Sequence, residues 1–435
     1  MAGLRSSSLF TIPFLGGLLL LTQACVTDPI SGRRELSVVR WSVEEELEIG
    51  NQAAPSLIAQ MDGPFASASA QSELGNLLEE MVSHSPRAED FEFDFILLAS
   101  SIPNALALPG GRVFMTRGLL AELRSEAEFI AVLGHELGHV ERRHTMERLS
   151  DNVLLHLPLA PLRVVSRILP FGGGVVESAA DAASVPSELL GLSFSRTQEL
   201  EADERGVFFA NAMGYDPRSM IGVFEVLNKL DAADGESGAP KLSVLRTHPL
   251  NKSRIQCVEK VAKPLALPEG EYRGDSPAFT TLLEQFRREA PAFAHHDHAR
   301  AELEALLNGP ETSEEQERAA LQEILESLGA ALTQLPEEPL FHITAGEIAF
   351  LAGNLGAAEQ HLLLAESVYA RETPGFGHWK PPFYIGLLRS AVGEHQPAVE
   401  ALQVALQRFP ENPQIQAALE AAQIELQSGE SEEGE

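Results

Sequence analysis

His135-Glu136-Leu137-Gly138-His139 interrupts the apolar run from Phe129 to Val140, and the way it is read decides the fold around it. Residues four apart share one face of a helix. On a helix, therefore, both imidazoles can point at a single ion, with Glu136 beside them. Zinc takes neutral ring nitrogens at about 2.0–2.1 Å, and a catalytic zinc site leaves a position for water. Glu136 is then placed to take a proton from that water as it attacks a carbonyl. The neighbours Phe129, Ile130, Val132, Leu133, Leu137 and Val140 imply that this helix is buried. Gly134 and Gly138 each weaken a helix by roughly 1 kcal/mol relative to Ala, so they imply close approach by substrate or backbone. A helix with two structural histidines is the alternative, and a third ligand separates the two readings.

Glu199-Leu200-Glu201-Ala202-Asp203 supplies that ligand. Ser195 with Gln198 three residues on resembles a capping box, which starts a helix near Arg196 and puts Glu199 in its first turn, where the helix dipole favours a carboxylate. Asp203 lies one turn further on the same face and can accept the free ring N–H of a ligating histidine, which fixes tautomer and orientation. Glu201 points to another side of the helix, so Glu199 is the ligand expected here. A solvated acidic helix face is the alternative for this segment taken alone.

Working outward, 42–60 and 70–84 read as helices, with Leu47, Leu57 and Ile58 at helical spacing. Phe91–Ala99 and Arg112–Thr116 read as strands. Between them Pro103-Asn104 and Pro109-Gly110-Gly111 are turn signals flanking Ala105–Leu108. Gly118 to about Ser150 reads as one long helix. Residues 151–192 combine an apolar stretch with prolines and glycines and read as a lid or hairpin beside the site, its apolar run packed into the core, with a segment dipping into a membrane as the alternative. The helix from Arg196 is expected to end at Gly214, with 217–230 helical again and Asp231–Pro240 a polar loop. Residues 268–312 read as a linker with some helix. Within it, His295-His296-Asp297-His298 is expected on an exposed loop.

From 313 onward Ala, Leu, Glu and Gln recur at helical spacing. Leu351–Glu359 and Ala391–Glu400 resemble one another, with Gly353 and Gly393 forty positions apart. That exceeds the tetratricopeptide period of about 34. An insert at Thr373–Pro382, which holds Trp379, would absorb the excess. About two tetratricopeptide-like hairpins with flanking helices are expected, a plain helical bundle being the alternative. Residues 428–435 read as a disordered acidic tail.

The chain has 435 residues, 63 acidic against 32 basic, for a net charge of -31. Phosphate binding needs clustered Lys and Arg, so nucleic acid is excluded as a partner. At the start, Arg5 precedes an apolar run from Leu9 to Leu21, and Ala24 precedes Cys25. This is the pattern of a secretory signal at 1–24. The Cys after a small residue is similar to the signal of bacterial lipoproteins, in which Cys25 would be acylated and 25–40 would form a leader. An ordinary cleaved signal is the alternative, since Thr22 stands where the lipoprotein signal usually carries Leu. Cys257, expected to be a buried small apolar residue, then has no partner for an internal disulfide.

Together the two motifs resemble the gluzincin zinc peptidases of the HtpX and CAAX prenyl protease type. Among those, the chain is most similar to the BepA-like periplasmic group, which joins such a domain to tetratricopeptide repeats. Asp28–Ser37, Asn104–Gly111 and His248-Pro249 with Arg254-Ile255 also resemble segments of that family. The resemblance implies an α+β, mainly helical fold: a peptidase domain at 41–267 with a small sheet, then an all-α tetratricopeptide-like domain at 313–427. It implies one zinc ion per chain on His135, His139 and Glu199, with Glu136 as general base. His248 would either stabilise the oxyanion or occupy the metal's fourth position in a closed state. Asn104 and the strand Arg112–Thr116 would hold substrate backbone. Arg254 would contact substrate or make an internal ion pair. The implied substrates are unfolded or misassembled cell-envelope proteins. The implied setting is the periplasm, at the outer membrane through a lipid anchor, with the repeats able to dock an outer-membrane protein.

Overall fold

The computed structural model describes residues 25–27, 34–36, 41–156, 193–237, 243–268, 270–310 and 313–433. The expected signal at 1–24 and most of the expected lid at 151–192 lie outside them. Cys25 falls in a short strand, β1 (Cys25–Thr27), antiparallel to β2 (Arg34–Leu36).

Serine caps set the first helices. Ser42 and Glu45 form a capping box at the start of α1 (Val43–Gln60), and Ser67 caps α2 (Ala68–Val82). The sheet follows as β3 (Asp94–Leu98), β4 (Ala105–Ala107) and β5 (Arg112–Thr116), in the order β3-β5-β4. β5 runs parallel to β3 and antiparallel to β4. Gly110 and Gly111, at φ of 85° and 90°, make the left-handed turn between β4 and β5. The order corrects the expectation that Arg112–Thr116 receives substrate. β5 is the central strand with both ladders taken, and the outer edge belongs to β4.

The single helix expected from Gly118 to Ser150 is three: α3 (Arg117–Glu122), α4 (Glu126–Glu141) and α5 (His144–His156). Ser125 caps α4 by accepting from Glu128 N, and Arg143, at φ 59°, turns the chain between α4 and α5. α6 (Arg196–Ala212) starts at the Ser195–Gln198 capping box and stops before Gly214, at φ 84°. α7 (Ser219–Ser237) runs through much of the expected loop at 231–240. α8 (Ser243–Thr247) and α9 (Lys252–Ala262) follow. Cys257 is half-exposed rather than buried.

The stretch expected to be a linker holds the 31-residue helix α10 (Pro277–Leu307). Its Phe279, Phe286 and Phe293 belong to the same buried cluster as Phe129 of α4 and Phe341 of the helix Pro339–Leu351. The His295–His298 cluster lies within α10, not on an exposed loop. His296 is fully buried, with Nε2 3.0 Å from Thr344 Oγ1 and its ring stacked on Phe341. A histidine beside Asp and Arg looks solvent-facing in sequence, but its partners come from a helix some fifty residues later.

Beyond it stand α11 (Glu314–Gln334), α12 (Pro339–Leu351), α13 (Leu355–Glu372), α14 (Lys380–Ala391), α15 (His395–Arg408) and α16 (Pro413–Glu433). α16 therefore carries helix through most of the expected tail. The forty-residue offset recurs in packing. A Cβ on Gly346 would meet Leu362 Cγ at 2.8 Å and Ala358 O at 3.4 Å; on Gly386 it would meet Leu402 Cγ at 2.6 Å and Ala398 O at 3.3 Å. The same glycine thus admits the same leucine in both hairpins, α12–α13 and α14–α15. No helix among the described residues is long and apolar enough to cross a membrane.

Candidate metal centre

α4 and α6 meet through residues too small to hold them apart. A Cβ on Gly138 would stand 2.9 Å from Arg205 Cβ and 3.1 Å from Ala202 Cα; on Gly206 it would stand 3.0 Å from Ala131 O. The close approach foreseen at Gly134 and Gly138 is thus made by the α6 helix. This contact brings the first turn of α6 under the histidine pair, and the buried Glu141–Arg205 ion pair joins the two helices.

His135, His139, Glu199 and His248 are all buried, and one donor atom from each lies within 4.8 Å of all the others. His135 Nε2 is 3.1 Å from His139 Nε2 and 3.2 Å from His248 Nδ1, which in turn is 3.0 Å from Glu199 Oε1. Glu199 oxygens lie 3.7 Å from His135 Nε2 and 3.6 Å from His139 Nε2. Donors at about 2.0–2.1 Å from a tetrahedral zinc stand roughly 3.3 Å apart, so the spacing suits that ion.

Protonation fits a cation as well. Burial, then the neighbouring His135, His144 and His248, push His139 well below the usual histidine range. Burial alone would raise Glu199, but His248, His135 and Arg254 hold it below the usual carboxylate range. Burial would likewise raise Asp203, and hydrogen bonds from Arg254 and His135 lower it. Neutral rings and ionised carboxylates are the forms that bind metal. Burial pushes His248 down, yet facing Glu136 and Glu199 raises it overall.

The surrounding groups hold this set in place. His135 Nδ1 lies 2.9 Å from Asp203 Oδ1. Arg254 donates to both Asp203 oxygens at 2.8 and 2.7 Å, and its Nη1 is 2.6 Å from Glu199 Oε2. Arg254 is thus committed inside the protein, which replaces the substrate-contact reading with a positioning one. Glu136 is buried, its Oε1 3.8 Å from His248 Nε2. Asn104 is buried just before β4; its backbone pairs with Thr116, while its Oδ1 finds no partner among the described residues. β4 packs beside α4, and Ala105 with Val132, Met220, Phe224 and Val244 lines an apolar cleft that ends on His135, Glu136 and His248.

Sequence reasoning passed over His144. Its Nδ1 lies 2.9 Å from His139 Nδ1, and its Nε2 lies 3.3 Å from Glu201 Oε2. Five residues after His139 it would face elsewhere on an unbroken helix; the left-handed turn at Arg143 brings it back. Glu201, set aside as pointing away, is the far end of that contact.

Residues 68–262 match peptidase family M48. The chain is 34% identical over 167 residues to the mitochondrial metalloendopeptidase OMA1 of Arabidopsis thaliana, covering 38% of this chain and 31% of that protein. To the protein of the same name in Schizosaccharomyces pombe it is 27% identical over 251 residues, 57% of this chain and 68% of that one. To the beta-barrel assembly-enhancing protease of Escherichia coli it is 30% identical over 187 residues, 42% and 37% respectively. The chain thus spans about a third of two of these relatives. Donor set and similarity agree on a metallopeptidase-type site, in a stretch, residues 68–262, that is similar to peptidase family M48.

Proposed function

We propose that this protein is a zinc-dependent endopeptidase that hydrolyses peptide bonds in unfolded or misassembled cell-envelope proteins. The observation that carries the reading is the convergence of His135, His139 and Glu199, from two helices, on one buried point beside Glu136. Zinc at that point would supply a Lewis acid for water and for the scissile carbonyl. Glu136 takes the proton from the attacking water and passes it to the leaving amine. The free edge of β4 pairs with extended substrate backbone, a mode that reads little side-chain identity. Asn104 Oδ1, without a partner among the described residues, is available to the same backbone. His248 Nδ1 completes the donor set, which we read as a closed resting arrangement, since a working zinc site keeps one position for water.

Glu136→Gln tests this directly. Cleavage of unfolded casein by the variant is expected to fall about 10²–10⁴-fold with stoichiometric zinc retained. Full activity in that variant would refute the mechanism.

The setting is part of the proposal. A signal at 1–24 with Cys25 acylated would place the chain in the periplasm at the outer membrane. One acyl chain binds a membrane marginally, whereas two or more hold it. The repeats supply a second reading, docking of an outer-membrane protein. Leu363 and Leu364, exposed on α13, would offer such a partner apolar contacts.

A further inference from the structure

We propose that His144, backed by Glu201, is a positioning residue for metal binding: it holds the ring of His139 in the one tautomer that can ligate. The proposal rests on the metal-centre reading above. His139 turns Nε2 toward the other donors, 3.1 Å from His135 Nε2. To bind a cation through Nε2 it must carry its proton on Nδ1. The atom facing that proton is His144 Nδ1, at 2.9 Å. A neutral imidazole has one donor and one acceptor nitrogen. If His144 Nδ1 accepts, its own proton sits on Nε2, and Glu201 Oε2 lies 3.3 Å away to receive it. Every hydrogen along Glu201–His144–His139 is thereby assigned, and each assignment requires the next.

The two ligating histidines are therefore supported differently. His135 meets a carboxylate directly, Asp203, itself clamped by Arg254. His139 meets a ring, and the carboxylate stands one ring further out. His144 is buried and Glu201 is partly exposed, so the chain of contacts leads from the metal point toward solvent. Phe194, stacked on His139 with ring centroids 3.9 Å apart, leaves that ring little freedom to find another acceptor.

The test is zinc affinity by chelator competition on the full chain at fixed pH, with thermal melting of the metal-free proteins as a check on folding. Groups that orient a ligand typically contribute 10–100-fold in metal affinity. His144→Leu, which removes the acceptor, is expected to weaken zinc binding by that factor. His144→Asn places Oδ1 near the position of the lost Nδ1 and is expected to recover binding to within a few-fold of wild type. Packing alone would not separate the two. Equal affinity in His144→Leu and wild type, or equal weakness in Asn and Leu, overturns the proposal. Should His144→Leu fail to fold, Glu201→Ala carries the test: weaker zinc binding with an unchanged melt supports it, and unchanged affinity overturns it. Wild-type protein that binds no zinc would instead overturn the metal-centre reading on which this one stands.

Discussion

Glu199 has no exposed surface, yet it is held ionised. Burying a lone carboxylate is costly, and the cost is offset by Arg254 at 2.6 Å and His248 at 3.0 Å. Those two partners differ in consequence. Arg254 also grips Asp203 and can stay when a cation arrives, whereas His248, on the proposed closed arrangement, would occupy the place that water needs. His248→Ala is therefore expected to raise casein cleavage several-fold while the chain still binds zinc; a fall in rate would give His248 the oxyanion role instead. At this scale the sequence is most readable where chemistry fixes spacing. Two histidines one turn apart and an acidic motif on a capped helix name their own geometry. His144 is unreadable for the opposite reason. It reaches His139 through the backbone angle of Arg143, a residue type that seldom adopts φ 59°. Arg143 is kept there by contacts to Trp41 and Glu46, a hundred residues earlier.

The α4–α6 contact sets the precision of the site. Helices normally pack 8–10 Å apart according to the side chains between them, and here Gly134, Gly138, Ala202 and Gly206 occupy that space. Gly138→Val must push α6 away or twist its side chain, at about 1–3 kcal/mol as for other overpacked cores. The expected outcome is a lower melting temperature together with weaker zinc binding. A variant with a lower melting temperature but wild-type zinc affinity would show that Glu199 does not depend on this spacing. Elements bounded by strong local signals emerge from sequence alone: β5 from its apolar run, α6 from its capping box. The false single helix across 118–150 arose because neither break, Leu123-Arg124-Ser125 or Arg142-Arg143, carries a Gly or Pro to mark it, and Ser125 with Glu128 was the overlooked start signal. The sheet order β3-β5-β4 has no local signal at all. It is set by pairing between strands far apart in the chain, and so the sequence reading placed substrate on a strand whose two edges are both taken.

At the scale of the molecule, the helices from α11 onward do not hang from the peptidase-like part by a tether. Phe65, Phe286, Phe293 and Phe341 lie in one buried cluster. Glu372 of α13 accepts from Ala68 N at the start of α2, and Arg300 of α10 pairs with Asp62 at 2.5 Å. A chain ending at residue 312 would expose the face that Leu328, Phe341 and Ile348 cover. Such a truncation is expected to lose soluble, zinc-binding protein, and the full chain is expected to melt in a single transition. An active, folded truncation would show instead that the two halves are independent. This continuity escaped the sequence because α10 carries thirty-one residues of mixed charge whose aromatic face is matched only by helices beyond it.

The edge of β4 is three residues long. A ladder that short can grip only a few residues of client, and only where they are already stretched out with their own amides unpaired. A segment wound into a helix or zipped into a sheet offers none of that. If substrate pairs with β4 as proposed, the frequency of cutting is expected to follow how often the client frays at the scissile point, so the victim's own looseness, rather than a recognition code, would act as the timer of its removal.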